Sequence, residues 1–332
     1  MPCVVLRLLL AKSLGIFPFS ALIQSFVLSG GPICVGGRLL VFGEDPQRYF
    51  QVYDCATLDE LFAGPNPHST AYSHQDAIRL AKTFAIPVLA VAGGNDCKSE
   101  LQLFTGCYHY ARRWSLAEVL ATPPRAPSLL NEYKGTGQGS THDFQVVISQ
   151  QSQNDVARPL FVSADEQSIR VYDLAKPRCI KKGLSGWVQQ LLLATCSNTT
   201  SERHHLVSTG VECCGGDDSI WSVSPTAVEK VSMPKFPSKG LRLIQHTSMP
   251  GRYFGIGDSK LLELELDVPV RVEGEGDVGE GVDMASGALD WCSAKWNITR
   301  QLANIRGDGQ PWLSAEGRLY SIGRDGMSEW AW

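Results

Sequence analysis

The chain has 332 residues, of which 43% are hydrophobic and 19% are charged, with a formal net charge of −4. This composition is that of a globular protein with a sizeable core. Because the net charge is negative, the overall charge of the protein does not attract nucleic acid. Any contact with nucleic acid therefore needs a local basic patch. The ten cysteines include no CxxC pair. This usage is typical of a reducing compartment, and we expect the nucleus or the cytoplasm.

Residues 1–30 are the most apolar stretch of the sequence. Arg7, Lys12 and Pro18 interrupt it and leave no run of the about 20 apolar residues that a membrane helix needs. Two interpretations stay open: a strand that closes a ring of sheets, and a targeting segment. We favour the closing strand and expect no membrane contact.

Six segments share one pattern, in which an apolar strand is followed by an aspartate in a turn and then by a second strand. The aspartates are Asp45, Asp96, Asp165, Asp217, Asp258 and Asp325. Their separations, by subtraction, run from 41 to 69 residues. Repeats of about 40–50 residues that are built from short strands are typical of a β-propeller. The sequence therefore predicts one all-β domain over 1–332, a β-propeller of six to seven four-stranded blades.

The clearest repeat is Leu160–Leu174. An apolar strand, a polar turn at Ala164–Gln167 and a second strand with period-two alternation predict a β-hairpin. The alternation places Arg170 on the opposite face from Ile169 and Val171. We therefore expect Arg170 to point away from the apolar packing.

Two regions depart from the repeat. Residues at about 111–141 contain a short helical pattern, adjacent prolines and a glycine-rich tail, which predict an irregular, exposed insertion or a blade without its aspartate. These alternatives leave the blade count at six or seven. Residues at about 268–283 form an acidic, glycine-rich segment that predicts a loop.

Motifs for catalysis are weak in this sequence. Gly274–Gly279 matches GxGxxG, but Glu275 and Asp277 within it would repel a phosphate, and no helix pattern follows. The neighbouring His204 and His205 lack further metal ligands at a familiar spacing, so exposed loop residues are the favoured interpretation. We expect no catalytic residue, no metal and no cofactor.

Basic residues follow two of the repeats. They are Arg178, Lys181 and Lys182 after one, and Lys230, Lys235, Lys239 and Arg242 after the next. Neighbouring blades present equivalent loops side by side, so these side chains could form one patch. The alternative is ordinary solvated loop charge.

The repeats resemble the WD-repeat family, in which a histidine before the inner strands, an aspartate in the following turn and a strand aromatic form one hydrogen-bonded set. His74 precedes Asp96, and His142 precedes Asp165. The resemblance implies that these residues, together with Asp217, are structural. The strands GGRLLVFG and GRLYSIG keep a kelch-like propeller as an alternative.

From Ser163 to Trp221 the chain looks more specifically like the non-catalytic WD-repeat subunits of 7-methylguanosine tRNA methyltransferases. The shared features, in order, are the acidic turn Asp165-Glu166, the strand Ile169-Arg170-Val171, Pro177 and the turn Gly215-Gly216-Asp217-Asp218. The resemblance implies a scaffold that does no chemistry, binds a catalytic methyltransferase and helps to seat tRNA. S-adenosylmethionine would bind that partner.

The same resemblance implies roles for individual residues. Arg170 would pair with a carboxylate of the catalytic subunit, with a purely structural strand residue as the alternative. Contacts to tRNA would fall to Arg178, Lys181, Lys182, Lys235 and Lys239. An adaptor in another complex and a propeller enzyme stay open as alternatives.

Overall fold

The protein is described here by a computed structural model. The described residues are 33–42, 50–57, 59–65, 78, 80–88, 98–107, 110–134, 141–148, 159–194, 204–210, 218–232, 234–237, 241–246, 249–270, 289–304, 310–313, 319–323 and 326–330. The chain divides into two compact units. The first comprises Met1–Ile148 and Asp155–Ile180, and the second Ser149–Asn154 and Lys181–Trp332.

Three sheets lie in the first unit, each formed from consecutive strands in chain order. Sheet 1 contains β1 (Ile33–Val35), β2 (Arg38–Phe42), β3 (Phe50–Asp54) and β4 (Glu60–Gly64). Sheet 2 contains β5 (Leu80–Val88), β6 (Lys98–Gly106), β7 (Tyr110–Ser115) and β8 (Ser128–Lys134). Sheet 3 contains β9 (Asp143–Ile148), β10 (Pro159–Ala164), β11 (Ser168–Asp173) and β12 (Lys176–Leu184), the last of which continues into the residues of the second unit.

The second unit has three sheets of the same kind. Sheet 4 contains β13 (Val188–Ala194), β14 (His204–Gly210), β15 (Ser219–Val223) and β16 (Val228–Ser232). Sheet 5 contains β17 (Arg242–Gln245), β18 (Arg252–Gly257), β19 (Lys260–Asp267) and β20 (Lys295–Asn304). Sheet 6 contains β21 (Gln310–Leu313), β22 (Leu319–Gly323) and β23 (Gly326–Trp330). Short helical turns lie at α1 (Ala117–Leu120) and at a 3-10 turn, Trp291–Ser293.

These sheets confirm the expected fold class, an all-β propeller. Five of the six sheets in the described part of the chain have four strands, and the sixth has three, which fits the six to seven blades expected. Every strand pair with a described register is antiparallel, as in a four-stranded meander. The single-domain organisation over 1–332 stays a prediction.

The hairpin predicted at Leu160–Leu174 is confirmed as β10 and β11, which pair in register from Leu160 opposite Asp173 to Ala164 opposite Ile169. The turn between them starts at Asp165, as expected. Asp258 also lies in a turn between second and third strands, those of sheet 5. The other four marker aspartates lie outside the described residues.

The second blade departs from the sequence interpretation. Asp96 falls in the chain between β5 and β6, the first and second strands of sheet 2, whereas the other markers fall between second and third strands. The third and fourth strands are β7 and β8, which pair from Tyr110 opposite Lys134 to Ser115 opposite Ser128. The interpretation of about 111–141 as an irregular insertion is therefore wrong for 111–134. A turn rich in glycine and aspartate marks a hairpin but does not tell which hairpin of a blade it closes.

The cores lie between neighbouring sheets within each unit. In the first unit, one core contains Leu40, Val52 and Trp114, and another contains Phe104 and Phe161. Rings in the latter core stack, with centroids 5.5 Å apart for Phe104 and Phe161. Burial of such a side chain contributes about 1.5–3 kcal/mol, so these aromatic residues are the main link between adjacent sheets.

In the second unit, Val207, Ile220 and Tyr253 belong to one core, and Phe254 and Leu319 to another. The first brings together strands of sheets 4 and 5, and the second brings together strands of sheets 5 and 6. Each described sheet of this unit therefore has an apolar face against a neighbour.

The outer strand of several sheets carries a β-bulge. Between its third and fourth strands, sheet 1 has an extra residue at Leu61, sheet 2 at Leu130, sheet 4 at Val231, and sheet 5 at Thr299 and Leu302. A bulge of this kind bends the strand and increases its twist.

Candidate protein-binding surface

Asp165 organises the turn between β10 and β11. Its Oδ1 accepts hydrogen bonds from the backbone N–H of Gln167 at 2.9 Å and of Ser168 at 2.7 Å. The Ser168 hydroxyl donates to the same oxygen at 2.9 Å. Carboxylates in such turns replace missing backbone partners and fix the hairpin.

Arg170 also contacts this turn, through Asp165 and Ser168, from the buried face of β11. Its Nη2 lies 3.0 Å from Asp165 Oδ2, and its Nε donates to Ser168 Oγ at 3.0 Å. Arg170 is 5% exposed, so the expectation that it points away from the packing is wrong. The reason is that Arg170 shares its face with Tyr172, and that face packs on sheet 2. The geometry favours the structural alternative for Arg170.

His142 lies beside this turn. Its backbone N–H donates to the carbonyl of Ala164 at 2.9 Å, and its Nε2 lies 3.8 Å from Glu166 Oε1. The imidazole ring of His142 therefore lies near the acidic turn at Asp165 and Glu166, as expected. A direct hydrogen bond from His142 to Asp165 stays a prediction. His74, Asp96 and Asp217 lie outside the described residues.

Two blades contain a tryptophan on the third strand that donates to a hydroxyl on the second strand. Trp114 Nε1 donates to Thr105 Oγ1 at 2.8 Å, and Trp221 Nε1 donates to Ser208 Oγ at 3.0 Å. The register is the same in both sheets, because each hydroxyl residue lies opposite the residue two positions before the tryptophan. Buried indole N–H groups require such partners.

Sheet 3 has a tyrosine at the corresponding position. Tyr172 follows Arg170 by two residues, and Arg170 lies opposite Ser163. Burial raises the pKa of Tyr172, with a smaller lowering contribution from a hydrogen bond to Ser163. An aromatic residue therefore recurs at this position in sheets 2, 3 and 4, but the Tyr172 hydroxyl donates to the carbonyl oxygen of Lys134 at 3.0 Å.

One junction between sheets 2 and 3 is the carbonyl oxygen of Leu174. The carbonyl oxygen of Leu174 accepts from Arg113 Nη1 at 3.1 Å, Asn131 Nδ2 at 3.0 Å and the Tyr133 hydroxyl at 2.9 Å. Burial raises the pKa of Tyr133 to about 12. The hydroxyl therefore stays protonated and donates over the physiological pH range.

The basic residues expected to bind tRNA are exposed where the structure describes them. Arg178, Lys181 and Lys182 lie on β12, and Lys235 follows β16. The first three therefore project from a strand, not from a loop as expected. Lys239 lies outside the described residues.

His204 and His205 lie on β14, which corrects their interpretation as loop residues. Burial lowers the pKa of His204. The ring of His205 stacks on Trp291 with centroids 3.9 Å apart. Within the described residues, no group of three or more His, Cys, Asp or Glu side chains could hold a metal ion. No helix of the described part is long and apolar enough to cross a membrane.

Sequence reasoning missed the tryptophan–hydroxyl pairs and the Leu174 junction. The pairs had a usable signal, since a serine or threonine precedes the tryptophan by nine residues in sheet 2 and by 13 in sheet 4, by subtraction. The Leu174 junction had none, because it depends on side chains that are distant in sequence.

No known family model matches the sequence, and no curated protein matches it. Among solved structures, BBS1N in complex with ARL6DN is similar over 91% of both chains, with a TM-score of 0.44 and 11% identity. A chain of the Polycomb Repressive Complex 2 of Chaetomium thermophilum is similar over 73% of this chain and 65% of that chain, with a TM-score of 0.36 and 10% identity. A chain of the fission yeast SREBP–SCAP binding domains is similar over 89% of this chain and 68% of that chain, with a TM-score of 0.41 and 11% identity.

Proposed function

We propose that this chain is a non-catalytic WD-repeat scaffold that binds a partner protein through the outer surface of its blades. The observation that carries the proposal is the exposed basic strand β12 next to blades of the WD-repeat kind. The tryptophan–hydroxyl pairs of Trp114 and Trp221 support the WD-repeat assignment over the kelch-like alternative. Rigid sheets that display fixed charge suit specific binding, since little backbone entropy is lost on docking.

The specific form of this proposal is the partner subunit of a 7-methylguanosine tRNA methyltransferase. The residue order that suggested it falls on consecutive elements: Asp165 and Glu166 in the β10–β11 turn, and Ile169 to Val171 in β11. In this proposal the catalytic partner binds S-adenosylmethionine, and this chain binds no cofactor. Basic side chains at Arg178, Lys181, Lys182, Lys235 and Lys239 would contact tRNA, and the protein would work in the nucleus or the cytoplasm.

Arg170 no longer belongs to the proposed interface. A guanidinium that is buried and ion-paired with Asp165 would have to break that pair to meet a partner carboxylate. Removing one member of a buried pair costs about 3–5 kcal/mol, which is too much for a routine docking step.

Affinity purification of the tagged chain from cells, followed by mass spectrometry and co-expression of the recovered partner, tests the proposal. Recovery of a methyltransferase whose activity on tRNA rises when this chain is present would support the specific form. Recovery of a different stable complex would support the WD-repeat adaptor and overturn the tRNA form. Substrate turnover by the purified chain alone would overturn the scaffold.

A further inference from the structure

The sequence contains two places where a serine or threonine is followed directly by proline. They are Thr122-Pro123 and Ser224-Pro225. Three positions after the hydroxyl residue, the first has an arginine, Arg125, and the second has an alanine, Ala227. Protein kinases select substrates partly by the charges around the acceptor hydroxyl, and a proline beside it is distinctive because it has no backbone N–H. The two places therefore present different patterns to such an enzyme.

Thr122 lies on an exposed segment between α1 and β8. Thr122, Pro123 and Arg125 are all exposed. Buried neighbours hold the segment in place, Val119 in α1 and Pro124. Among the described residues, neither the Thr122 hydroxyl nor the Arg125 guanidinium has a hydrogen-bond partner. An enzyme can therefore reach both side chains without breaking a contact that they make in the described part of the chain.

Ser224, in contrast, is enclosed in its own turn. It is 7% exposed, and its hydroxyl oxygen accepts hydrogen bonds from the backbone N–H groups of Thr226 at 3.2 Å and Ala227 at 3.0 Å. The backbone N–H of Ser224 also donates to the carbonyl of Ala227 at 2.9 Å. A kinase would have to open this turn to reach the oxygen, so the structure favours Thr122 over Ser224.

The backbone around Thr122 can open without loss of a sheet contact. The helical turn α1 ends at Leu120 and β8 begins at Ser128, so Thr122 belongs to neither element. In the described part of the chain, a backbone hydrogen bond from the Arg125 N–H to the Glu118 carbonyl closes the segment at 2.8 Å. The bond from the Ser128 hydroxyl to Glu118 Oε1, at 2.7 Å, lies beyond the arginine. Loop segments with few such bonds open locally at low cost while the core stays folded.

We propose that Thr122 is a phosphorylation site for a proline-directed protein kinase that prefers a basic residue three positions after the acceptor. The Thr122 hydroxyl oxygen forms a bond to the γ-phosphorus of ATP, the bond from that phosphorus to the β–γ bridging oxygen breaks, and ADP leaves. The hydroxyl proton passes to the catalytic aspartate of the kinase. Pro123 and Arg125 are the residues that the kinase recognises. The phosphate adds a charge of about −1.5 to −2 to an exposed segment. This inference does not depend on the proposed scaffold function.

Phosphate transfer to the purified full chain tests the proposal. The probe is a purified cyclin-dependent kinase with its cyclin and radiolabelled ATP, and peptide mass spectrometry locates the phosphate. We expect phosphate on Thr122 and none on Ser224. Thr122→Ala should lower incorporation by about tenfold or more, since it removes the acceptor oxygen, whereas Thr122→Ser should retain it. Circular dichroism should show that both variants stay folded.

Substitutions beside Thr122 test how the kinase recognises the segment. Pro123→Ala should lower the rate by about tenfold, because it restores a backbone N–H after the acceptor. Arg125→Ala should lower the rate by about threefold or more, and its matched control, Arg125→Lys, should keep most of the rate because the positive charge remains. A rate that Pro123→Ala leaves unchanged would overturn the proline-directed class. A rate that Arg125→Ala leaves unchanged would overturn the basic preference.

Ala227→Lys isolates the effect of burial. It gives the segment at Ser224 the same pattern as the segment at Thr122, while the Ser224 hydroxyl stays in its turn. The folded variant should therefore still lack phosphate on Ser224, whereas a synthetic peptide of the same sequence should be phosphorylated. Phosphate on Ser224 of the folded variant, at the rate seen for Thr122, would overturn the role of exposure. A native chain without phosphate on Thr122 would overturn the proposal, and recovery of a partner protein in that case would leave the proposed function standing.

Discussion

The hydroxyl of Tyr133 donates a 2.9 Å hydrogen bond to the carbonyl oxygen of Leu174. Tyr133 lies on β8, the last strand of sheet 2, and Leu174 directly follows β11 of sheet 3. The bond therefore joins two blades through residues that are 41 positions apart in the sequence. The ring of Tyr133 also stacks on Phe161, with centroids 4.4 Å apart. One side chain thus provides both an apolar contact and a polar contact between the blades.

Tyr133→Phe should destabilise the protein by about 1 kcal/mol, because it removes the hydroxyl and keeps the ring stack. Arg113 and Asn131 still donate to the Leu174 carbonyl, so the loss should not be larger. Urea unfolding of both proteins measures the difference. A loss as large as that of Tyr133→Ala would show that the hydroxyl, and not the stack, dominates the contact.

Tyr133 should also make stability fall at high pH. Its pKa rises from 10.0 to about 12 on folding because burial disfavours the phenolate. The contribution is therefore fully present below pH 10 and lost as pH rises toward about 12, since the unfolded chain loses the proton first. Urea unfolding at about pH 9 and about pH 11 should show a larger drop for the native chain than for Tyr133→Phe. An equal drop in both would assign the effect to other groups, Tyr172 among them.

Asp165→Ala should cost about 3 kcal/mol or more, since Arg170 would be left as a buried charge without its carboxylate. Arg170→Glu should be at least as damaging, because it places two carboxylates together in the same turn. The matched control is Asp173→Ala in the same hairpin, whose carboxylate accepts from the exposed N–H of Ala175. Thermal unfolding measures all three. A stable Arg170→Glu variant would return Arg170 to the list of candidate partner contacts.

Thr105→Val and Ser208→Ala should each cost about 1–3 kcal/mol, because each leaves a buried indole N–H without an acceptor. Ser222→Ala, on the same strand as Trp221, should cost less. Unfolding by urea, followed through tryptophan fluorescence, reports both stability and the indole environment. Losses no larger than that of Ser222→Ala would show that these hydroxyls are not needed in the blades.

Ser259→Gly should stabilise the protein by about 1 kcal/mol. Asp258 and Ser259 form the β18–β19 turn with φ of 47° and 58°, a left-handed conformation that costs side chains of this kind roughly 1 kcal/mol and glycine almost nothing. Ser259→Ala keeps a Cβ and should give no gain. Thermal midpoints of the two variants, compared with the native chain, provide the measurement.

The hairpin of β10 and β11 could be predicted from sequence because a period-two pattern and an acidic turn are both local signals. The burial of Arg170 could not, since alternation shows which side chains share a face but not what covers that face. Sheet 2 was misread for a related reason. Its aspartate turn was treated as equivalent to the other five, but it falls between the first and second strands of the sheet, so the strand of Trp114 fell within the supposed insertion.

The bulges at Leu61, Leu130 and Val231 bear on how copies of this protein meet one another. If a strand of a second copy paired with one of these outer strands, the bulge would shift the register of the backbone N–H and C=O groups after a few residues. A ladder of strands from molecule to molecule could not lengthen past that point. Concentrated samples should therefore resist fibril growth along these edges.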